Sequence, residues 1–497
     1  MELDFNEEFY KIERKADWRD KLRKEIKSKD RTDIPKVHMP EEDPLLRSTC
    51  NMEVNKGLTY ELAMSEARRC LDCVTPTCVS GCPVGTNIPK FIKYLEAGEI
   101  LEAAKVLKEN NSLPAICGRV CPQEIQCEKQ CVYVQKLKSE GAAIGHLERY
   151  VADYERENGH TSLPPMAPPN GIKMGVIGSG PAGLTVAGEL AKYGYDVTVF
   201  EALHDLGGVL RYGIPEFRLP KSIVDFEINN VKMLGVKFVT NFIVGKTATI
   251  DDLRNEGFQA FFVGSGAGLP NFMEIPGENF NGIQSANEYL TRVNLMSGSQ
   301  SGFDTPVHSG KNVAIIGGGN TAMDSVRTAK RLGAERAMII YRRSMEEMPA
   351  RAEEIKHAIE EGIEFINLTT PIQYFADNKG NVTKMRVQKM GLGEPDASGR
   401  RRPVPIEGSE YDIEVDTVVI AVGVSPNPII QQSMPELEVT KWNTIKTDDN
   451  MMTSIPGLFA GGDIVRGGAT VILAMGDGRN AAKGMHKYVQ ANAIVEA

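Results

Sequence analysis

The segment KMGVIGSGPAGLTVAGELAKYG, residues 173–194, joins a short apolar strand to a glycine-rich turn and a helical run. Gly178, Gly180 and Gly183 have the spacing G-x-G-x-x-G. In this motif the first glycine makes a tight turn, the second lets the backbone approach a pyrophosphate, and the third lets helix and strand pack closely. The free N–H groups at the start of the helix then face the phosphates. The segment predicts an α/β unit that binds a dinucleotide.

The dinucleotide at this first site is predicted to be FAD. The next strand, VTVF, ends at Glu201, where an acid accepts hydrogen bonds from ribose hydroxyls. IPGLFAGGD, residues 455–463, is similar to the FAD-contacting motif of flavoproteins with two dinucleotide domains, and this likeness directs Asp463 toward the ribityl chain. The predicted FAD-binding residues are Gly178, Gly180, Pro181, Ala182, Gly183, Glu201, Gly208, Asp463 and Thr470.

A second α/β unit begins at KNVAIIG, residues 311–317, and continues with GGGNTA before another helical run. Its next strand, AMIIY, ends in two arginines where an NAD site would carry an acid. A guanidinium suits the 2′-phosphate of NADPH, with Arg351 as a further candidate. The alternative is that the arginines are only solvated. The predicted NADPH-binding residues are Gly317, Gly319, Asn320, Thr321, Ala322, Arg342 and Arg343.

Eight of the nine cysteines fall within residues 70–131, and only Cys50 lies outside this window. Clustered thiols in a reducing compartment indicate metal binding rather than disulfides. Cys82 and Cys121 are each followed by proline, and a Cys-Pro at the end of such a run is a ferredoxin-like sign. Structural zinc would use two C-x2-C pairs, but the window has one such pair and no histidine. The pattern therefore predicts two [4Fe–4S] clusters.

The assignment of ligands follows two-cluster ferredoxins, in which the last cysteine of a run binds the other cluster. Glu124 lies close after Cys121 and is an alternative to Cys117, which the sequence leaves open. The predicted ligands are Cys70, Cys73, Cys78 and Cys131 for the first cluster, and Cys82, Cys117, Cys121 and Cys127 for the second.

The overall composition bounds the class of protein. The chain has 497 residues, which suggests about three domains. Its net charge of −9 argues against nucleic acid as a partner. No apolar run approaches about 18 residues and the N-terminus has no apolar signal core, so we expect a cytoplasmic protein without a membrane span. The predicted domains are a charged N-terminal extension (1–42), a helical iron–sulfur domain (43–160), an FAD-binding domain (171–300 and 430–497) and an inserted NAD(P)H-binding domain (301–429).

Several longer segments, together with the cysteine pattern, resemble the small (β) subunit family of bacterial NADPH-dependent glutamate synthase over residues 43–497. They are LPAICGRVCPQE (113–124), VIGSGPAGL (176–184), GGVLRYGIPEFRLPK (207–221), IIGGGNTAMD (315–324), YRRSMEEMPAR (341–351), GEPDASGRRRPV (393–404) and LFAGGDIVRGGATVILAMGDGRNAA (458–482). The resemblance implies an α/β fold with an N-terminal α-helical domain holding two [4Fe–4S] clusters, followed by two Rossmann-like domains, the NADPH domain inserted in the FAD domain.

The resemblance also implies a function. Electrons would pass between NADPH and a partner subunit through FAD and the two clusters, the partner being a glutamate synthase large subunit. Relatives with other partners leave an alternative open, namely the large subunit of an electron-bifurcating NADH-dependent ferredoxin:NADP oxidoreductase or a sulfide dehydrogenase subunit. Those alternatives would bring a small FAD/[2Fe–2S] subunit, or ferredoxin, as partner. Hydride transfer needs no catalytic acid–base residue of the chain, so none is predicted.

Overall fold

The computed structural model describes residues 5–300 and 302–495, so residues 1–4, 301 and 496–497 of the predicted domains lie outside the described part. The helices are α1 (Glu7–Glu13), α2 (Asp17–Glu25), α3 (Ser28–Thr32), α4 (Pro44–Arg47), α5 (Tyr60–Arg69), α6 (Thr77–Ser80), α7 (Ile88–Glu96), α8 (Ile100–Asn110), α9 (Pro114–Val120), α10 (Val132–Gln135), α11 (Ile144–Glu157), α12 (Pro181–Lys192), α13 (Val209–Tyr212), α14 (Lys221–Met233), α15 (Ile250–Asn255), α16 (Ala286–Asn294), α17 (Asn320–Arg331), α18 (Ala352–Glu360), α19 (Ile429–Ser433), α20 (Asp463–Arg466) and α21 (Val471–Val495).

The strands, given in chain order, are β1 (Lys173–Ile177), β2 (Asp196–Phe200), β3 (Lys237–Val239), β4 (Phe258–Val263), β5 (Leu269–Pro270), β6 (Ile283–Ser285), β7 (Asn312–Ile316), β8 (Arg336–Tyr341), β9 (Glu364–Asn367), β10 (Thr369–Ala376), β11 (Val382–Pro395), β12 (Arg401–Pro405), β13 (Tyr411–Glu414), β14 (Thr417–Ile420), β15 (Val424–Ser425) and β16 (Leu458–Ala460). Two short 3-10 turns cover Gln123–Ile125 and Met345–Glu347.

The part of the chain before residue 160 is helical, as the sequence predicts. Its core includes Phe91 and Leu95 of α7, Leu107 of α8 and Leu147 of α11, all buried. Within α7 the buried residues Ile88, Phe91, Ile92 and Leu95 are spaced three or four apart along one face, as in an amphipathic helix. The charged N-terminal segment also belongs to this body, because Tyr10 of α1 is buried in it.

The first parallel sheet has the strand order β16-β4-β1-β2-β3. Its strands β1 and β4 are apolar almost throughout, as expected when helices cover both faces of a parallel sheet. Strand β16 comes from nearly 200 residues after β4 yet pairs with it, Leu458 lying opposite Phe261. One sheet is therefore built from two chain segments, which confirms that another unit is inserted between them.

The inserted unit contains the second parallel sheet, with the order β6-β14-β7-β8-β9, and the antiparallel strands β10 to β13. Strand β6 pairs with β14 and precedes residue 301, so this sheet starts earlier in the chain than the predicted boundary. Strands this short give no clear sequence signal, and only their pairing assigns them to a sheet. The short strands β5 and β15 pair antiparallel where the chain passes between the two units.

No helix in the described ranges is long and apolar enough to cross a lipid bilayer.

Candidate functional site

The first glycine-rich turn has the geometry that the motif predicts. Gly178 follows β1 with φ of +98°, and a Cβ added to it would lie 2.6 Å from the carbonyl oxygen of Gly264. A Cβ on Gly183 would lie only 1.9 Å from the carbonyl oxygen of Gly178. By contrast, a Cβ on Gly180 would meet no atom within 4 Å. The two outer glycines are thus needed for packing, whereas the space in front of Gly180 is open to a ligand.

Helix α12 begins directly after this turn, with Pro181 in its first turn and Ala182 buried. Its N-cap residue, Gly180, supplies no side-chain hydrogen bond to the exposed N–H groups. A second loop lies against the turn, since a Cβ on Gly208, whose φ is +53°, would be 3.0 Å from the Cα of Gly180. The uncapped N–H groups and the helix dipole fit a pyrophosphate between these loops.

Glu201 lies buried at the end of β2, beside the same turn. One of its carboxylate oxygens, Oε2, accepts hydrogen bonds from the backbone N–H of Ser179 at 2.8 Å and from its hydroxyl at 2.6 Å. The other oxygen, Oε1, accepts from the N–H of Leu203 at 2.8 Å. Oε1 keeps a further acceptor position, so the loop holds the carboxylate in place with one position left for a ribose hydroxyl.

The C-terminal segment meets the first site through β16. A Cβ on Gly462 would lie 3.2 Å from the Cβ of Ala182 in α12. Asp463 follows and accepts a hydrogen bond from the N–H of Ala469 at 3.1 Å. Burial raises the pKa of the Asp463 carboxyl to about 6, and the charge of Asp477 acts in the same direction. Asp463 therefore follows directly on a residue that packs against the first turn of α12.

Helix α21 links this site to the cysteines. The Thr470 hydroxyl accepts from the N–H of Leu473 at 3.4 Å and so caps the start of the helix. One turn further, the sulfur of Met475 lies 3.5 Å from the sulfur of Cys117.

The second glycine-rich turn repeats the construction of the first. Gly317 has φ of +144°, and a Cβ on it would lie 2.4 Å from the carbonyl oxygen of Ala421. A Cβ on Gly319 would approach only the ring of Pro349, at 4.0 Å. Gly319 caps α17 without a side-chain hydrogen bond, so this turn too presents free N–H groups and open space.

The other predicted residues of the second turn have different positions. The Asn320 side-chain oxygen accepts from the N–H of Arg351 at 2.9 Å, which fixes the turn to the segment before α18. Thr321 is exposed at the start of α17, whereas Ala322 is buried in the core of the domain. Thr321 is thus the side chain of this turn that a ligand can reach.

The two arginines after β8 differ in their surroundings. Arg342 is exposed. Arg343 is buried and donates from Nε to the carbonyl oxygen of Arg401 at 2.8 Å and from Nη2 to Asp396 Oδ2 at 2.7 Å. Arg343 therefore holds the β11–β12 hairpin, and Arg342 is the residue of the pair that remains available for a 2′-phosphate.

Arg351 points away from the second turn and reaches the helical domain. It forms an ion pair with Glu124 at 3.3 Å and donates to the carbonyl oxygen of Arg119 at 3.1 Å. Glu124, which the sequence offered as an alternative cluster ligand, is thus engaged by the NAD(P)H-binding unit. Arg351 therefore connects the two domains and is not available to bind the 2′-phosphate of NADPH.

The first set of thiols lines one cavity of the helical domain. Four cysteines surround it together with apolar side chains such as Ile92 of α7 and Ile144 of α11. Burial raises the pKa of Cys70 to about 12, with the neighbouring negative charges adding to the effect. Soft sulfur donors around a water-poor space fit a [4Fe–4S] cluster. The cysteines of this cavity are Cys70, Cys73, Cys78 and Cys131.

The second set of thiols is accompanied by a carboxyl group that the sequence did not single out. Glu148 of α11 accepts a hydrogen bond from Asn111 at 2.7 Å. Its charge is among those that raise the pKa of every thiol in the set. Burial is the largest cause for three of these thiols, and for Cys121 the largest cause is the hydrogen bond that its thiol donates to Cys117. The pKa of Glu148 itself is raised to about 8 by burial, with Glu227 adding to the shift. Asn111 also lies 3.6 Å from the sulfur of Cys117, so Glu148 is a candidate fifth donor beside the four thiols of this set, Cys82, Cys117, Cys121 and Cys127.

A further group of possible metal ligands lies between the helical domain and α18. Glu41, Glu353 and His357 have ligand atoms within 4.8 Å of one another. Cations already occupy both carboxylates, since Lys356 lies 3.0 Å from Glu41 and Arg351 lies 3.0 Å from Glu353. A divalent ion would be repelled there, so this group is an ionic contact between domains.

The sequence matches two families of known proteins. Residues 47–160 match "dihydropyrimidine dehydrogenase domain II, 4Fe-4S cluster", and residues 172–478 match "pyridine nucleotide-disulphide oxidoreductase". Two relatives are named glutamate synthase [NADPH] small chain. That of Azospirillum brasilense is 39% identical over 89% of this chain and 92% of its own. That of Escherichia coli is 34% identical over 92% of this chain and 98% of its own.

Solved structures agree on the fold of the two nucleotide-binding units. Mycobacterium tuberculosis FprA in complex with NADPH superposes with a TM-score of 0.56, covering 66% of this chain and 86% of FprA at 18% identity. That likeness concerns the fold alone. With the sequence matches, the predicted helical iron–sulfur domain followed by two Rossmann-like units is confirmed, and the chain belongs to the pyridine nucleotide-disulphide oxidoreductase family, among the small chains of NADPH-dependent glutamate synthase.

Proposed function

We propose that this chain is the NADPH-oxidising subunit of a glutamate synthase-type complex and passes electrons to a partner subunit. When bound, NADPH supplies a hydride, FAD accepts the electron pair and releases it singly, and the clusters carry single electrons. The chain's own residues bind and orient these groups.

The observation that carries this proposal is a hydrophobic core shared by the first nucleotide site and the second set of thiols. Cys117 and Cys121 pack in one cluster of buried residues with Leu184 of α12 and with Ile472 and Met475 of α21. Helix α12 begins at the first glycine turn, and α21 packs against its start, a Cβ on Gly478 lying 2.7 Å from the carbonyl oxygen of Ala182. The first set of thiols packs against the core of the helical domain, in which Cys127 and Cys82 of the second set also pack. The second set of thiols thus shares one core with the first nucleotide site and another with the first set, which supports a path of single electrons through both sets toward a partner.

Each cofactor is assigned to the residues that fit it. FAD would lie against the turn at Gly180, with Glu201 holding the ribose and Asp463 beside the ribityl chain. NADPH would lie against the turn at Gly319, with Arg342 on the 2′-phosphate.

Two sets of residues would hold the clusters. The first cluster would take Cys70, Cys73, Cys78 and Cys131. For the second we favour Cys82, Cys121 and Cys127 with Glu148, because Asn111 contacts both Glu148 and Cys117 and so places this carboxyl beside the thiols. Burial raises the pKa of the Glu148 carboxyl, and iron would supply a positive charge that stabilises its ionised form. Thiolate-bound clusters require a reducing compartment, which supports a cytoplasmic location.

The test is anaerobic purification of the chain from its native cell, followed by identification of the protein that copurifies. We expect FAD, about eight iron atoms per chain, bleaching of the flavin by NADPH, and a glutamate synthase large subunit. A small FAD/[2Fe–2S] subunit or ferredoxin in its place would establish the transhydrogenase alternative. A colourless chain, or one that contains zinc, would refute the proposal.

A further inference from the structure

The loop that carries the first cluster ligands contains a buried carboxylate. Asp72 lies between Cys70 and Cys73 and is completely buried. Three arginines from the N-terminal segment converge on it. Arg19 forms an ion pair with its Oδ1, Arg23 lies 2.5 Å from its Oδ2, and Arg14 lies 3.9 Å from Oδ2. Arg23 also pairs with Asp20 at 3.2 Å, so the charge balance of this group is three positive against two negative.

The same segment also holds the backbone of the ligand loop. The Tyr10 hydroxyl donates to the carbonyl oxygen of Cys73 at 2.7 Å, and Arg14 Nε donates to that of Asp72 at 2.6 Å. Stacking of Trp18 on Tyr94 of α7, with ring centroids 4.4 Å apart, anchors α2 to the domain. Helices α1 and α2 are therefore a fixed cover over the loop.

The surroundings of Arg19 indicate that its positive charge, and not only the packing of its side chain, has a role at this loop. It is 1% exposed, and within the described ranges its Nε and Nη1 atoms have no hydrogen-bond partner. The guanidinium faces the rings of Tyr10 and Trp18, with centroids at 5.2 and 5.9 Å. Burying a cation with two unmade hydrogen bonds costs stability. An apolar side chain would fill this space at lower cost, so the positive charge itself has a use.

We propose that α1 and α2 form a charge clamp that raises the reduction potential of the first cluster. Adding an electron to a cluster is easier when fixed positive charge lies nearby, and potentials of such clusters depend on net charge, hydrogen bonding and solvent exposure. The arginines are positioning residues that act through Asp72 and the ligand loop. This inference rests on the proposed function, because it assumes the first cluster is held by Cys70, Cys73, Cys78 and Cys131.

The experiment compares two single substitutions of opposite charge effect in the purified holoprotein. Arg23→Gln removes one positive charge from a side chain that is already partly exposed. Asp72→Asn removes the negative charge and keeps the shape. EPR-monitored redox titration gives the potential of each cluster, and the second cluster of the same molecule is the internal control.

We expect Arg23→Gln to lower the reduction potential of the first cluster. The equilibrium constant for its one-electron reduction should fall about tenfold, which corresponds to about 59 mV. Asp72→Asn should raise it, and neither should move the second cluster. If Arg23→Gln does not accumulate as a folded protein, Arg14→Gln gives the same test. Unchanged potentials, or shifts of the same sign in both variants, would overturn the clamp.

The failure of this inference differs from a failure of the proposed function. If only the inference fails, both clusters are present and can be titrated, but the reduction potential of the first cluster does not change with the charge removed by Arg23→Gln or Asp72→Asn. If the proposed function fails, the thiol variant Cys73→Ser retains all of its iron, which would show that no cluster is bound by this loop.

Discussion

The sulfur of Met475 lies 3.5 Å from the sulfur of Cys117, so that a helix packed against the first nucleotide site touches the second set of thiols. Cys117 also approaches the side-chain oxygen of Asn111 at 3.6 Å. The same Asn111 donates to Glu148. Asn111 therefore lies between Cys117 and Glu148 and places this carboxyl beside the second set of thiols.

This relationship predicts which donor completes the second cluster. Glu148→Gln should lose much of the iron of the second cluster or change its EPR signal, because a neutral amide cannot offset the charge of the iron. Cys117→Ser should retain the iron. Iron analysis and EPR of the anaerobic protein measure both effects.

The matched control is Glu227→Gln, since Glu227 is also buried and accepts a hydrogen bond from the N–H of Ala115 in the same helix that carries Cys117. It should keep both clusters. Loss of iron in Cys117→Ser with full retention in Glu148→Gln would restore the all-cysteine ligand set.

The first set of thiols gives a separate prediction. Cys73→Ser should lose about half of the iron while FAD stays bound, because one of two four-iron clusters is lost and the flavin site lies in another domain. The measurements are iron content and flavin absorbance after desalting. Cys50→Ser is the control: this cysteine lies outside the set, and its substitution should change neither quantity.

The sequence predicted what depends on local motifs and missed what depends on distant packing. Both glycine turns follow their strands because the spacing G-x-G-x-x-G, or G-x-G-x-x-A in the second turn, is a local backbone signal. Glu148 carries no motif and reaches the thiols only because α11 packs on α9. Arg343 looked equivalent to Arg342, yet its partner Asp396 lies 53 residues away on a hairpin. No local pattern could separate these cases, because the side-chain environment of each residue comes from the tertiary fold.

The two arginines after β8 should therefore give different results. Arg342→Ala should raise the KM for NADPH about tenfold or more with little effect on NADH, because a charged hydrogen bond contributes about 1.5–3 kcal/mol. Arg343→Ala should instead lower the stability of the hairpin, seen as a lower Tm. Steady-state kinetics with both nucleotides and thermal unfolding separate these outcomes.

Arg336→Ala, at the start of β8, is the control for the loss of an arginine near Arg342. It pairs with Glu364 at 2.7 Å on the surface and should leave both KM values unchanged. An equal rise in the KM for NADPH and NADH in Arg342→Ala would contradict the assignment of the 2′-phosphate to this residue.

The first glycine turn offers a matched pair in which one added methyl group has two different consequences. In Gly180→Ala the methyl group enters open space, so the apoprotein should fold with an unchanged Tm but bind FAD much more weakly, because the methyl group occupies the place of the pyrophosphate. In Gly183→Ala it would collide with the backbone of Gly178 at 1.9 Å and lower the free energy of unfolding by about 3 kcal/mol or more. Flavin content and thermal unfolding of the two variants measure the difference. Full flavin occupancy in Gly180→Ala would show that the pyrophosphate lies elsewhere.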